Sequence, residues 1–207
     1  MTDLEIEVKF YISDLEPIRR RMKEIGAVSQ GRWFEINLRF EDQNQSLFRN
    51  GSLLRLRRDS RNRLTFKSLP GGSPEEDDRQ FKMYRELEVE VSDFEVMVRI
   101  LESLGYHVEQ TYEKQRETFT YKGLEICVDT LPFGDFLEIE GEKEAIRSMA
   151  HRLGLNWRER ILENYLGIFE HIRRNTGLEF RDVTFADFQQ THPNDLADHI
   201  RHFEIGS

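Results

Sequence analysis

Apolar and polar residues alternate strictly in several short runs of this chain. LEIE stands at positions 4–7 and again at 137–140, and a near copy, LEVE, at 87–90. The same alternation runs through FEINLRF (34–40), SLLRLRR (52–58), RLTFKSL (63–69), EKQRETFTY (113–121) and LEICVDT (124–130). Period 2 with β-branched or aromatic residues predicts half-buried antiparallel strands, about eight in all. Each LEIE-like run leads into helical spacing: SDLEPIRRRMKEIGA (13–27), SDFEVMVRILESLGY (92–106) and GEKEAIRSMAHRLGL (141–155). Ser-Asp supplies an N-cap and an early carboxylate in the first two. Ile18, Met22 and Ile25, and then Val98, Leu101 and Leu104, recur at helical intervals. Gly26, Gly105 and Gly154 stand where a helix-terminal glycine belongs. Glu16 to Gly26, Glu95 to Gly105 and Glu144 to Gly154 are each ten positions apart. This predicts a strand–helix unit used repeatedly and, for the first two copies, internal duplication. One more helix is predicted over 157–174, ending near Gly177. PGGSPEEDD (70–78) reads as a loop, and Asn50-Gly51 and Lys122-Gly123 as turns. The segment from 178 onward, with Phe180, Phe185, Phe188 and Pro193, is only weakly patterned.

Composition narrows the function classes. Of 207 residues, 33% are charged and 38% apolar, and the net charge is −9. That balance argues against general nucleic-acid binding, which needs a net basic face. Cys127 is the single cysteine, so neither an intrachain disulfide nor a cysteine-based zinc site is complete. No apolar run of transmembrane length appears, and the expectation is a cytoplasmic protein that binds neither nucleic acid nor membrane.

Successive strand side chains point to opposite faces. Leu4, Ile6, Val8 and Phe10 therefore share one face, and Glu5, Glu7 and Lys9 the other. Leu54 and Leu56 oppose Arg55 and Arg57, and Leu64 and Phe66 oppose Thr65 and Lys67. Leu87 and Val89 oppose Glu86, Glu88 and Glu90. Lys114 and Arg116 share a phase, Ile126 and Val128 oppose Asp129, and Leu137 and Ile139 oppose Glu138 and Glu140. An ordinary amphipathic sheet with a solvated face accounts for any one strand. The polar faces, however, are dominated by ions whose signs cluster by strand. A closed barrel offers the alternative, with apolar faces under outer helices and charged faces lining the lumen. Arg and Lys in such a lumen suit phosphate oxygens. Carboxylates suit Mg²⁺ or Mn²⁺.

Glu5-x-Glu7-x-Lys9 resembles the ExExK signature of the CYTH, or triphosphate tunnel metalloenzyme, superfamily. The likeness continues through LRLRR, LTFK (64–67), the Glu86/Glu88/Glu90 strand, EKQR (113–116) and VDTLPFGDFLEIEG (128–141). The resemblance implies an α+β fold, a closed eight-stranded antiparallel β-barrel or tunnel with charged interior and helices packed outside. It assigns 1–176 to the tunnel domain and leaves 177–207 as a C-terminal extension. It implies phosphate binding by Lys9, Arg55, Arg57, Lys67, Lys114 and Arg116. Divalent Mg²⁺ or Mn²⁺ would be held by Glu5, Glu7, Glu86, Glu88, Asp129, Glu138 and Glu140, with Lys9, Glu88 and Asp129 in catalytic roles. Family members act on inorganic triphosphate, thiamine triphosphate and nucleotides, or cyclise ATP to cAMP, as monomers or homodimers.

Some positions depart from the family pattern. Tyr84 holds the phase of an expected arginine, and Arg85 is one residue off. FEINLRFED (34–42) replaces a Tyr-Phe-Asp-Thr run, with Arg39 expected toward the lumen. SLFRNGSLLRLR is closer to the phosphatase-like members than to class IV adenylate cyclases, which carry His-Phe and Arg-Asp-Phe there. Metal-dependent triphosphate hydrolysis is therefore the leading expectation and adenylate cyclase the alternative. A non-catalytic polyphosphate-binding module fits less well, because anion binding alone does not favour so many carboxylates.

Overall fold

The structure, a computed structural model, describes residues 4–73, 75–191 and 193–205. In chain order these form β1 (Leu4–Tyr11), α1 (Leu15–Glu24), β2 (Val28–Asp42), α2 (Ser46–Arg49), β3 (Leu53–Arg58), β4 (Asn62–Ser68), β5 (Lys82–Glu90) and α3 (Phe94–Ser103). There follow β6 (Tyr106–Tyr121), β7 (Leu124–Leu131), β8 (Gly134–Glu140), α4 (Lys143–Arg152), β9 (Arg160–Ile161), α5 (Tyr165–Thr176) and α6 (Ala197–Arg201). The first eight strands close into a ring in the order β1-β5-β4-β3-β2-β6-β7-β8 and back to β1. Every pairing in it is antiparallel. The expected α+β barrel is thus the fold, with β9 added to β1 through Lys9↔Ile161 and Phe10↔Arg160. No helix among the described residues is long and apolar enough to cross a membrane.

The strand pleat decides which way each residue faces. Val8, Phe10, Ile126, Val128, Leu137 and Ile139 point outward and are buried beneath α1 and α4, against Leu15, Ile18, Met22, Ile146 and Met149. Phe40, Leu54 and Leu56 pack under α3 through Phe94 and Leu101. Fully burying such a side chain is worth roughly 1.5–3 kcal/mol, so this outer shell favours one register and keeps the charged phase inside. Strand β5 departs from the expectation of helices over every apolar face. Leu87 and Val89 are 59% and 56% exposed. The segment before β5 instead reaches α4, where Asp77 pairs with Arg147 and Asp78 with Lys143.

The helix signals fall where the sequence puts them. Asp14 caps α1 by accepting from Glu16 N, and Asp93 caps α3 by accepting from Val96 N. Gly26, Gly105 and Gly154 follow their helices with φ of 77°, 93° and 71°, the left-handed region that glycine enters freely. The helix predicted over 157–174 is corrected by the structure. Trp157–Glu159 forms one 3₁₀ turn, Arg160–Ile161 becomes β9, and the helix starts only at Tyr165. Two causes are visible. Ile161 is drawn into the core beside Phe133 and Phe136, and Asn164 stops backward propagation by capping Gly167 N at 2.9 Å. Described residues after Gly177 dock. Val183 accepts from Glu113 N and donates to Thr111 O at 2.9 and 2.8 Å, and Val183, Phe188, Leu196 and Ile200 are buried with α5.

Candidate active site

The ring order sorts the lumen by sign. β8, β1 and β5 are neighbours and carry Glu138 and Glu140, Glu5 and Glu7, and Glu86 and Glu88. Across the ring, β4, β3 and β6 carry Lys67, Arg55 and Arg57, and Lys114 and Arg116, with β2 between β3 and β6. These residues and Lys9 all line a single cavity of about 1320 Å³. Arg39 and Tyr84 line it too, whereas Arg85 lies on the exposed outer phase.

Lysines stitch the carboxylate wall. Lys9 Nζ lies 2.8 Å from Glu138 and 4.0 Å from Glu7, and Lys82 lies 2.6 Å from Glu7. Lys67 pairs with Glu5 and with Glu86, the latter at 2.6 Å. Burial alone would raise the Glu7 carboxyl, but Lys82 and Lys9 outweigh it and lower the pKa to about 2. Burial is likewise outweighed at Glu138, where Lys9 and Arg116 hold the group well below the usual carboxylate range. Glu140 goes the other way. Burial raises it, and the Glu5, Glu125 and Glu7 charges raise it further, to about 8. Burial also raises Glu5 despite its lysine partner. At this end of the wall, negative charge exceeds the cations the chain supplies.

The basic wall encloses a carboxylate of its own. Glu35, on β2, is 2% exposed and lies 3.3 Å from Arg57, 3.6 Å from Lys114 and 4.0 Å from Arg116. Burial opposes its charge, but Lys114, Arg57 and Arg116 hold it far below the usual range. Arg57 Nε donates to Asn37 at 3.0 Å, and Arg55 donates to Thr65 at 3.3 Å and Tyr112 at 3.4 Å. Glu35 Oε2, Asn37 Nδ2 and Arg55 Nε are buried without a hydrogen-bond partner in the protein. Such groups cost free energy unless a ligand or water satisfies them.

Asp129, expected among the metal ligands, sits behind this wall. It is fully buried and does not line the cavity. Its oxygens accept from Lys114 at 2.9 Å, Arg116 Nε at 2.7 Å and the Tyr165 hydroxyl at 2.8 Å. That geometry anchors the two bases and leaves little of the carboxylate for an ion. Glu88 stands near the lumen edge, where it accepts from Thr65 at 2.8 Å and lies 3.5 Å from Arg63. Sequence reasoning passed over Glu35, Asn37, Arg63, Lys82 and Tyr112, all of which line the cavity or contact its lining. Each was available from the alternation: Glu35 and Asn37 share the phase of Arg39, Lys82 that of Glu86, Tyr112 that of Lys114, and Arg63 that of Lys67.

The donor set suits a hard divalent cation. Among the described residues, no group of three or more His, Cys, Asp or Glu is already arranged to hold one. Yet Glu5, Glu7, Glu138 and Glu140 supply only oxygen donors, and Glu140 is pushed toward protonation by burial first and then by the Glu5, Glu125 and Glu7 charges.

Comparisons with known proteins agree with the geometry. The model of the CYTH domain matches residues 3–152. A Vibrio parahaemolyticus structure described as a candidate adenylate cyclase superposes with a TM-score of 0.71 at 20% identity, covering 82% of this chain and 99% of its own. The PH1012 protein of Pyrococcus horikoshii gives 0.65 at 27%, covering 78% and 96%. A Hippeastrum protein, described as a candidate adenylyl cyclase with a dominant triphosphatase activity, gives 0.57 at 17%, covering 80% and 95%. No curated protein matches.

Proposed function

The chain belongs to the CYTH domain family, whose members act on triphosphates, and from that premise we propose that it is a divalent-metal-dependent triphosphatase. The observation that carries this reading is the facing of a carboxylate wall and an arginine–lysine wall across one closed lumen. Arg55, Arg57, Lys114 and Arg116 would grip the phosphate oxygens, the arginines through their paired donors. Lys9 and Lys67, which bridge to the carboxylates, would hold the chain's remaining oxygens and offset charge developing in transfer. Glu5, Glu7, Glu138 and Glu140 would hold Mg²⁺ or Mn²⁺, with Glu86 beside them. When bound, that ion would draw charge from the phosphate oxygens and from water. Glu88, whose side chain is 30% exposed against 9% for Glu7, is assigned to orient the attacking water, with Lys9 on the terminal phosphate. Asp129 is assigned to anchoring Lys114 and Arg116 rather than to the metal. The tunnel domain is taken as 1–176, with 177–207 as an extension.

A cavity of about 1320 Å³ has room beyond an inorganic triphosphate, which keeps thiamine triphosphate and ATP as substrates and adenylate cyclase as the second reading. One experiment separates them. Purified protein with Mg²⁺ or Mn²⁺ is offered inorganic triphosphate, thiamine triphosphate and ATP in turn. Orthophosphate release is the expected outcome, and cAMP with pyrophosphate would establish the cyclase instead. Binding without turnover under either metal would sink both. Glu5→Gln should abolish metal-dependent turnover while leaving the unfolding temperature near that of the parent.

A further inference from the structure

Tyr165 opens α5 and reaches the barrel from outside the ring of strands. Its hydroxyl donates to Asp129 Oδ2 at 2.8 Å. The same Asp129 accepts from Lys114 at 2.9 Å and from Arg116 Nε at 2.7 Å. Its ring carries two more contacts. Lys9 Nζ lies 4.4 Å from the ring centroid and Lys114 Nζ 5.3 Å. Lys9 also reaches the Glu163 carbonyl, just before the helix, at 3.4 Å. The ring is fixed from behind by Phe136, edge-on with centroids 5.1 Å apart. One side chain therefore touches Lys9 and Lys114 directly and Arg116 through Asp129. Burial, then the Asp129 and Glu138 charges, push the phenol well above its usual range, so it stays a donor.

We propose that Tyr165 is a positioning residue for phosphate binding, holding Lys9, Lys114 and, through Asp129, Arg116 in the geometry that grips the phosphate chain. The role rests on the reading of the lumen as a triphosphate site, but not on turnover. A lysine on a long flexible stem loses rotamer freedom when it binds. A ring face and a shared carboxylate that immobilise it beforehand remove part of that cost. The helix start is part of the device. Because Asn164 stops α5 from extending backward, Tyr165 falls in its first turn, beside the Lys9 contact at Glu163.

The test measures affinity for inorganic triphosphate by calorimetric titration in chelator, where metal-dependent hydrolysis does not run, beside the unfolding temperature. Tyr165→Phe keeps the ring and loses the donor; the expected result is about a tenfold weaker affinity, the size of one hydrogen bond to a charged acceptor. Tyr165→Leu removes the ring as well and should weaken binding further. Asp129→Asn should weaken binding at least as much as Tyr165→Phe, and the two together no more than Asp129→Asn alone, because both act through one contact. Additive losses, or unchanged affinity in Tyr165→Phe with only a lower unfolding temperature, would overturn the role and leave a core tyrosine. If Tyr165→Leu does not fold, Tyr165→Phe and the double variant still decide. Tight binding by the parent without hydrolysis under either metal would sink the enzymatic reading while leaving this one standing.

Discussion

The carboxylate enclosed by the basic wall makes the sharpest quantitative prediction. Glu35 is 2% exposed and is the nearest anion on its side of the lumen to Arg57, at 3.3 Å, with Lys114 and Arg116 at 3.6 and 4.0 Å. Glu35→Gln keeps the shape and removes the charge. Arg57 then loses its carboxylate partner, while Lys114 and Arg116 keep Asp129. Breaking a buried pair by removing one partner costs about 3–5 kcal/mol. For a domain of this size each kcal/mol moves the unfolding temperature by roughly 2–4 °C, so the ligand-free variant should melt about 6–20 °C lower. Inorganic triphosphate should reverse the loss. In the parent, its phosphates compete with Glu35 for the same guanidinium and ammonium groups; in the variant they meet no competitor. If that gain is tenfold in affinity, saturating ligand adds about 1.4 kcal/mol more stabilisation to the variant than to the parent. Scanning calorimetry of both proteins, with and without inorganic triphosphate, measures each quantity. A ligand-free variant melting within about 2 °C of the parent would refute the counter-ion argument. So would an equal ligand-induced shift in the two proteins.

Other consequences are simpler to check. Because the folded Glu140 carboxyl titrates near 8 rather than at its ordinary 4.5, the folded state binds more protons than the unfolded across that window. Chelated protein should therefore lose stability as pH rises from 4.5 to about 8. Glu140→Gln should flatten most of that slope, leaving the part due to Glu5, yet weaken Mg²⁺ binding, and an unchanged slope after the substitution would exclude Glu140 as its source. Cys127 is buried and its thiol is pushed up, chiefly by burial. It should resist iodoacetamide in the native protein and react on unfolding; native labelling at neutral pH would contradict the burial. Asp93→Ala removes the side chain that accepts from Val96 N at 2.9 Å, and should cost about 1 kcal/mol in urea unfolding.

The barrel was legible because its alternation is nearly uninterrupted. Leu4, Ile6 and Val8 against Glu5, Glu7 and Lys9 state both faces of one strand, and the same statement is repeated around the ring. Long-range order was not legible. Nothing local in LEIEVKF says that β1 pairs with both β5 and β8, since register depends on residues far apart in the chain. Helix starts were readable where Asp14 and Asp93 act alone. They were misread at 157–174, because the apolar spacing of Trp157, Ile161 and Leu162 satisfies a helix while Ile161 is claimed by β1 and the core beyond it. Glu35 was missed for a different reason. A single acid between arginines looks like a surface pair until the closed ring shows it 2% exposed. Tyr165 shares the helical spacing of Ile168, Phe169 and Ile172, which reads as core, and its polar partner lies on another element.

The closure of the ring bears on how the chain is made. Among the strands of the ring β1 is made first, but along Glu7–Tyr11 its partner is β8, from Tyr11↔Phe136 to Glu7↔Glu140. Until Glu140 has emerged, that edge of β1 has no native strand to meet. Such an edge invites pairing with another nascent chain, and pairings this distant in sequence form slowly. Glu5, Glu7 and Lys9 crowd one face of the waiting strand with charge, which discourages a second copy from stacking there. The charges that later line the lumen thus begin as guards of an unfinished edge during translation.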